Sequence, residues 1–175
     1  SKNLKIWHAR KKKAFSLISA FGKRSKRHKR QTIVARSKRG PDARSSHLSL
    51  LASTSKFTTV RSSFANQGQI CLCGSRIFVE QSIYEQFKSD FVKKVKVLKV
   101  GHPSEKDTNI GALVSKPHLE KVKEYIQIAK DENGTVLCGG NEVVIKDYEN
   151  GYYLEPTVIE VQTDECRVNQ EEIFG

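Results

Sequence analysis

From residue 58 onward, the apolar positions repeat with regular periods. Ile83, Phe87, Phe91 and Val95 recur every four residues, which predicts a helix with a single apolar stripe. Ser82, with Glu85 three residues later, reads as a capping box at its start. Gly101-His102-Pro103 breaks that helix or follows its end. Leu119, Val122, Tyr125, Ile126 and Ala129 predict a second amphipathic helix. Ser115 ahead of Lys116-Pro117 is a suitable N-cap followed by an early proline. Asn133-Gly134 ends this helix, with Gly suited to the left-handed position after it. Arg76 to Glu80, Thr135 to Cys138 and Tyr152 to Val161 read as strands, being rich in β-branched and aromatic residues. Pro156 requires an edge or an irregularity in the last of them. Val60 to Ala65 reads as the end of a helix, and Asn66-Gln67-Gly68-Gln69 as a turn leading to Ile70-Cys71. The order strand, helix, helix, strand, strand predicts an α/β unit, incomplete at both ends.

Ser1 to Ser55 has no such period. Charge sharpens the contrast. Residues 1–59 hold 17 Lys and Arg against one acid, a net +16; residues 60–175 hold 14 against 18, a net −4. The chain therefore divides into a basic segment, 1–57, and a unit from 58 to 175. The segment offers little apolar surface to bury and is expected to be disordered. Three readings of it stay open. It binds nucleic acid or serves as a nuclear-import patch, it is an organellar transit peptide, or it is chain unrelated to the rest. Trp7, Phe15 and Phe21 lie outside the densest basic run, Lys23 to Arg30, so stacking residues do not interleave the charges there. A chain that begins with Ser and contains no Met reads as processed, trimmed or a fragment.

No apolar run approaches a bilayer's thickness, and no secretory signal follows the basic start. The expectation is a soluble, cytoplasmic protein with no membrane partner. The four cysteines, Cys71, Cys73, Cys138 and Cys166, form neither a dense disulfide framework nor a zinc-ligand spacing. A reducing compartment follows, with each cysteine either inert and buried or reactive. Alone, Cys71 reads as a small buried apolar residue.

The stretch Phe64-Ala65-Asn66-Gln67-Gly68-Gln69-Ile70-Cys71-Leu72-Cys73-Gly74-Ser75-Arg76 reverses that reading. It resembles the active-site motif of the aldehyde dehydrogenase superfamily, Phe-x-Asn-x-Gly-Gln-x-Cys-x-x-x-Arg, at every fixed position. Gly111-Ala112-Leu113 resembles the family's Gly-Pro-Leu turn, with Ala for Pro. Gly151-Tyr152-Tyr153-Leu154-Glu155-Pro156-Thr157-Val158 resembles its Gly-Tyr-Phe-x-x-Pro-Thr-Val strand, and Glu171-Glu172-Ile173-Phe174-Gly175 its Glu-Glu-x-Phe-Gly segment. The wording around Cys71 is most similar to the branch acting on muconic semialdehydes. The fold this implies is part of a Rossmann-like α/β catalytic domain, with the basic segment ahead of it.

The resemblance implies NAD(P)-dependent oxidation of an aldehyde. Cys71 would be the nucleophile, since a thiolate both attacks and leaves well. Asn66, Gly68 and Gln69 would shape the turn that brings the Cys71 N–H to the oxyanion. Glu172 would accept from the ribose hydroxyls beside the nicotinamide, and Phe174 would pack near that ring. His118 and Lys121 would lie on the adenine side. Bland readings stand beside these: Glu172 as a surface acid, Phe174 as core, His118 as decoration of a helix start. The cofactor would be NAD or NADP, the partner a small aldehyde, and the full-length parent a homo-oligomer; no metal is implied. The family's general base and second oxyanion donor sit in motifs that do not occur in this sequence, so the piece is expected to be inactive by itself. The alternative function is a basic nucleic-acid-binding protein, through residues 1–57, carrying a degenerate enzyme remnant.

Overall fold

The computed structural model describes the backbone of residues 12–17 and 32–35, and residues 58–175 apart from 72 and 164. The readings made for the rest of residues 1–57 lie outside the described residues. Two stretches of that segment depart from the disorder expected of it. Lys12–Leu17 forms strand β1 and Thr32–Ala35 strand β2. After the helical residues 58–64, here α1, come β3 (Arg76–Glu80), α2 (Tyr84–Lys96), α3 (Lys116–Asp131) and β4 (Thr135–Cys138). Then follow β5 (Glu142–Val143), β6 (Tyr153–Leu154), β7 (Val158–Val161) and α4 (Arg167–Gln170). The α/β class stands. Five strands form one sheet in the order β2-β3-β1-β7-β4, and β5 pairs with β6 apart from it. The β2–β3 pair is parallel; β1–β3, β1–β7 and β4–β7 are antiparallel.

Strand β7 divides the core because successive strand side chains point to opposite faces. Val158 packs in one cluster with Val60, Phe64, Ile77, Val79, Tyr84, Phe87, Phe91, Val95 and Ile110. Ile159 and Val161 pack in the other with Leu119, Val122, Ile126, Ala129, Val168 and Ile173. Helices α1 and α2 thus pack on one side, and α3 and α4 on the other. Glu160, on the α2 side, takes the Tyr84 hydroxyl and lies 3.5 Å from Lys88 Nζ. Among the described residues, no helix is long and apolar enough to cross a membrane.

The helix boundaries carry two corrections. The capping box at Ser82 does not form: Gln81–Ile83 is a 3₁₀ turn, Ile83 is the N-cap, and the Ser82 hydroxyl bonds Glu80 Oε1 at 3.0 Å. Tyr84, fully buried, leads the stripe of Phe87, Phe91 and Val95, while Ile83 is only partly buried. At the end of α3 the left-handed residue is Asn133, at φ 62°, not Gly134. Gly134 is needed for another reason: its N–H bonds the Ala129 carbonyl at 2.7 Å, and a Cβ there would stand 2.6 Å from that oxygen. The Ser115 cap forms as expected, accepting from the His118 N–H at 3.4 Å. Pro156 does interrupt its strand, dividing it into β6 and β7.

Candidate active site

Helix α1 runs directly into the turn that carries Cys71. Asn66, Gln67 and Gly68 are all left-handed, with φ of 50°, 57° and 75°. Glycine tolerates this freely and asparagine readily, but a glutamine there is held at a cost of about 1–2 kcal/mol. Several bonds hold the turn in this shape. Gln69 N–H bonds the Asn66 carbonyl at 2.9 Å, and Asn66 Nδ2 bonds the Gln69 carbonyl at 3.2 Å. The buried Ser63 hydroxyl lies 2.8 Å from both the Thr59 and the Gly74 carbonyls, tying α1 to the returning chain. Cys73 N–H closes the stretch onto Ile70 at 3.0 Å. Cys71 is exposed and its thiol is free, while Cys73 is buried.

Gln67 connects this turn to a distant segment. Its Nε2 donates to the Ala112 carbonyl at 3.2 Å, across 45 residues of sequence. The amide lies where a Cβ on Gly111 would be, 2.6 Å away. Leu113 N–H in turn bonds the Tyr152 carbonyl at 2.8 Å. Gln67 and Gly111 also line a small cleft of about 30 Å³, partly open to solvent, with Phe64, Leu113, Val122 and Gly175 among its other walls. Sequence reasoning singled out neither Gln67 nor Ser63. Their partners are distant or are backbone carbonyls, and no spacing announces them.

The proposed cofactor residues group around the start of α3 and the stretch after α4. His118 Nε2 bonds the Phe174 carbonyl, and the two rings meet edge to face, 6.4 Å between centroids. Phe174 has φ 65°, which turns its carbonyl back toward α3. Gly175 lies against Val122 and His118, with no room for a Cβ. Lys121 Nζ stands 6.0 Å over the Tyr125 ring. The Tyr125 hydroxyl donates to Glu171 at 2.6 Å, and Arg167 grips the same carboxylate through two nitrogens, each at 3.0 Å. The Arg167 bond, and then the Tyr125 bond, hold the Glu171 carboxyl below the ordinary carboxylate range. Burial, and then the bond to Glu171, push the Tyr125 phenol up. Glu172 is half-buried between that anchored acid and the fully buried Ile173. The structure brings His118 to Phe174 and joins the Cys71 turn to Gly175 through one cleft. It sets Lys121 over Tyr125, beside the Glu171 cluster.

An exposed cysteine thus follows a left-handed turn on a mixed α/β scaffold, and Gln67 of that turn lines an apolar cleft. The chain belongs to the aldehyde dehydrogenase family, whose model matches residues 55–175. The 2-aminomuconic semialdehyde dehydrogenase of Mus musculus is 52% identical over 120 residues, covering 67% of this chain and 25% of that protein. The 2-aminomuconic 6-semialdehyde dehydrogenase of Pseudomonas sp is 43% identical over 117 residues, covering 66% and 24%. The chain thus spans about a quarter of the length of the curated relatives it matches. Among solved structures, betaine aldehyde dehydrogenase from Staphylococcus aureus in complex with NAD+ superposes with a TM-score of 0.70 at 30% identity. That superposition covers 82% of this chain and 26% of that one. It covers more of the chain than residues 55–175 hold, so it reaches into the basic segment.

Proposed function

We propose that the protein oxidises an aldehyde to a carboxylate with NAD or NADP, through a covalent intermediate on Cys71. The observation that carries this reading is the exposed free thiol of Cys71, on a left-handed turn whose Gln67 lines the cleft. The Cys71 thiolate adds to the carbonyl carbon and the oxygen becomes an oxyanion. The backbone N–H of Cys71 is one donor to that oxygen, and the turn of Asn66, Gly68 and Gln69 orients it. The nicotinamide, when bound, supplies the acceptor for the hydride leaving the thiohemiacetal carbon. Cys71 then holds a thioester. Water cleaves it to the carboxylate, and the sulfur leaves as thiolate.

Residues 58–175 are read as part of the catalytic domain. The groups on this chain suit one end of a dinucleotide. Glu172 offers two acceptor oxygens to paired ribose hydroxyls, and Phe174 an apolar face. Lys121 supplies a cation on the half-exposed side of α3. His118 gives its ring nitrogen to the Phe174 carbonyl, so its role is to position Phe174. The substrate reading is a muconic semialdehyde, supported by the 52% identity to a dehydrogenase of that class. A homo-oligomeric, cytoplasmic enzyme completes the proposal; four free thiols favour a reducing compartment.

The test is Cys71→Ala in the protein that carries the whole catalytic domain, followed by cofactor reduction with aldehyde present. Removing a covalent nucleophile lowers kcat by about a thousandfold or more. Turnover within severalfold of the unmodified protein would sink the reading.

A further inference from the structure

Helix α3 and its C-cap carry three polar residues at equal spacing, His118, Tyr125 and Glu132, and each meets a different residue of the stretch 167–174. Glu132 Oε2 accepts the Arg167 N–H at 2.7 Å. The Tyr125 hydroxyl donates to Glu171 at 2.6 Å. His118 Nε2 bonds the Phe174 carbonyl. Seven residues make nearly two full turns, so the three lie in one row along the helix at intervals of about 10 Å. Residues 167–174 run back along that row. Apolar packing alone does not call for these bonds, because Leu119, Val122, Ile126 and Ala129 already bury Ile173 against α3. Glu171 is the most firmly held of the stretch. Besides the Tyr125 bond, Arg167 takes both of its carboxylate oxygens, each at 3.0 Å. A paired grip of this kind fixes a side chain's direction where a single surface ion pair does not.

We propose that Tyr125 and Arg167 are positioning residues for the cofactor: by holding Glu171 they fix the side on which Glu172 presents its carboxylate, which rests on the ribose-binding role of Glu172 proposed above. Glu171 is extended, at φ −106° and ψ 165°, and side chains alternate along an extended run. Glu171 turns toward Tyr125, and Ile173 is buried in the cluster built on α3. Glu172 between them therefore faces away from α3, half-buried. His118 holds the next step through the Phe174 carbonyl. Without the clamp, Glu171 turns to water and the twist of the backbone between 171 and 172 is no longer set. Glu172 is still present, but it samples directions that miss the ribose. A ribose contact is made alike before and during hydride transfer, so its loss falls on cofactor affinity and not on kcat.

The test is NADH binding by fluorescence titration, with steady-state kinetics beside it, on the protein that carries the whole catalytic domain. Tyr125→Phe removes only the hydroxyl, and Glu171→Gln removes the charge that Arg167 pairs. Each should raise the Kd for NADH and the KM for NAD by about three- to tenfold, the range that loss of one such bond spans. The KM for aldehyde, and kcat at saturating NAD, should stay within about twofold. Arg167→Lys should recover part of the affinity that Arg167→Ala loses. Tyr84→Phe removes another buried hydroxyl bond, away from this stretch, and should leave the Kd unchanged, which separates positioning from a loss of stability. In a Glu172→Ala background, Tyr125→Phe should weaken binding no further. An unchanged Kd in both Tyr125→Phe and Glu171→Gln overturns the proposal. So does an equal shift in Tyr84→Phe, or a full shift that persists without the Glu172 carboxylate. Where one variant fails to fold, the other decides. Binding needs no turnover, so an active Cys71→Ala protein would sink the covalent chemistry and leave this result standing, whereas unmodified protein that binds no NADH overturns both.

Discussion

Three successive left-handed residues are a local strain that the surrounding contacts must hold in place. Gln67 bears the largest share, since neither its size nor its chemistry favours φ 57°. Its amide is held by the Ala112 carbonyl and by the space that Gly111 leaves open. Gln67→Ala removes that bond and should cost about 1 kcal/mol in urea unfolding. Gly111→Ala places a methyl where the amide sits and evicts it, losing the same bond for about 1–2 kcal/mol. The two changes share one contact, so the double variant should lose little more than the larger single loss. Fully additive losses would show that the residues act separately. The sequence motif located the turn and its cysteine, because Asn-Gln-Gly before Gln-Ile-Cys is a fixed local pattern. The clamp on the turn was not legible, because Ala112 lies 45 residues from Gln67.

At the scale of elements, α2 is fixed to β7 by more than its apolar stripe. Tyr84 is fully buried and its hydroxyl bonds Glu160, which also faces Lys88. Burial first, and then the bond to Glu160, push the Tyr84 phenol well above its ordinary range. The sign follows from linkage. The unfolded phenol ionises near pH 10 while the folded one does not. The contribution of Tyr84 is therefore complete below about pH 10 and declines above it, by up to about 1.4 kcal/mol per pH unit. Tyr84→Phe should cost about 1–2 kcal/mol near neutrality and should lose less stability than the unmodified protein between about pH 9 and 11. Denaturant midpoints across that range measure both effects, and parallel pH curves would exclude Tyr84 as a source. The four-residue apolar period predicted helix α2 here, and Ser115 before a proline predicted the cap of α3. The misplaced start of α2 has a physical cause: Ser82 donates its hydroxyl to Glu80 Oε1 and accepts no backbone N–H from a first helical turn, which begins after Ile83 instead. At the end of α3, Asn133 took the left-handed position that glycine usually fills.

At the scale of the whole molecule, the least legible part is the basic segment. Charge divided the chain near residue 58, and the long basic runs gave no period. The two strands inside that segment are short, and their pairing partners lie 44 or more residues away. Nothing local separated Lys12–Leu17 from its surroundings except a brief apolar patch; Thr32–Ala35 is a run of only four residues. In the sheet, β1 lies between β3 and β7, matching residues Lys12 to Ser16 with β3 and Ala14 to Leu17 with β7. Removing it opens two inner edges at once and parts the α1–α2 layer's β3 from β7, the strand both clusters share. Unpaired inner strands of apolar composition seek other chains, and Ile77, Val79, Val158 and Ile159 are all fully buried. Deleting residues 1–57 should therefore lower the thermal midpoint and produce higher-order species in size-exclusion chromatography. A truncated chain of unchanged size and midpoint would mean that β1 lends the sheet nothing. Substituting the Lys and Arg of 18–31 and 36–57 by Ser or Gln while keeping both strands should leave the midpoint close to that of the unmodified chain. That contrast separates the charge of the segment, which dominates its sequence, from the backbone pairing that places it in the fold.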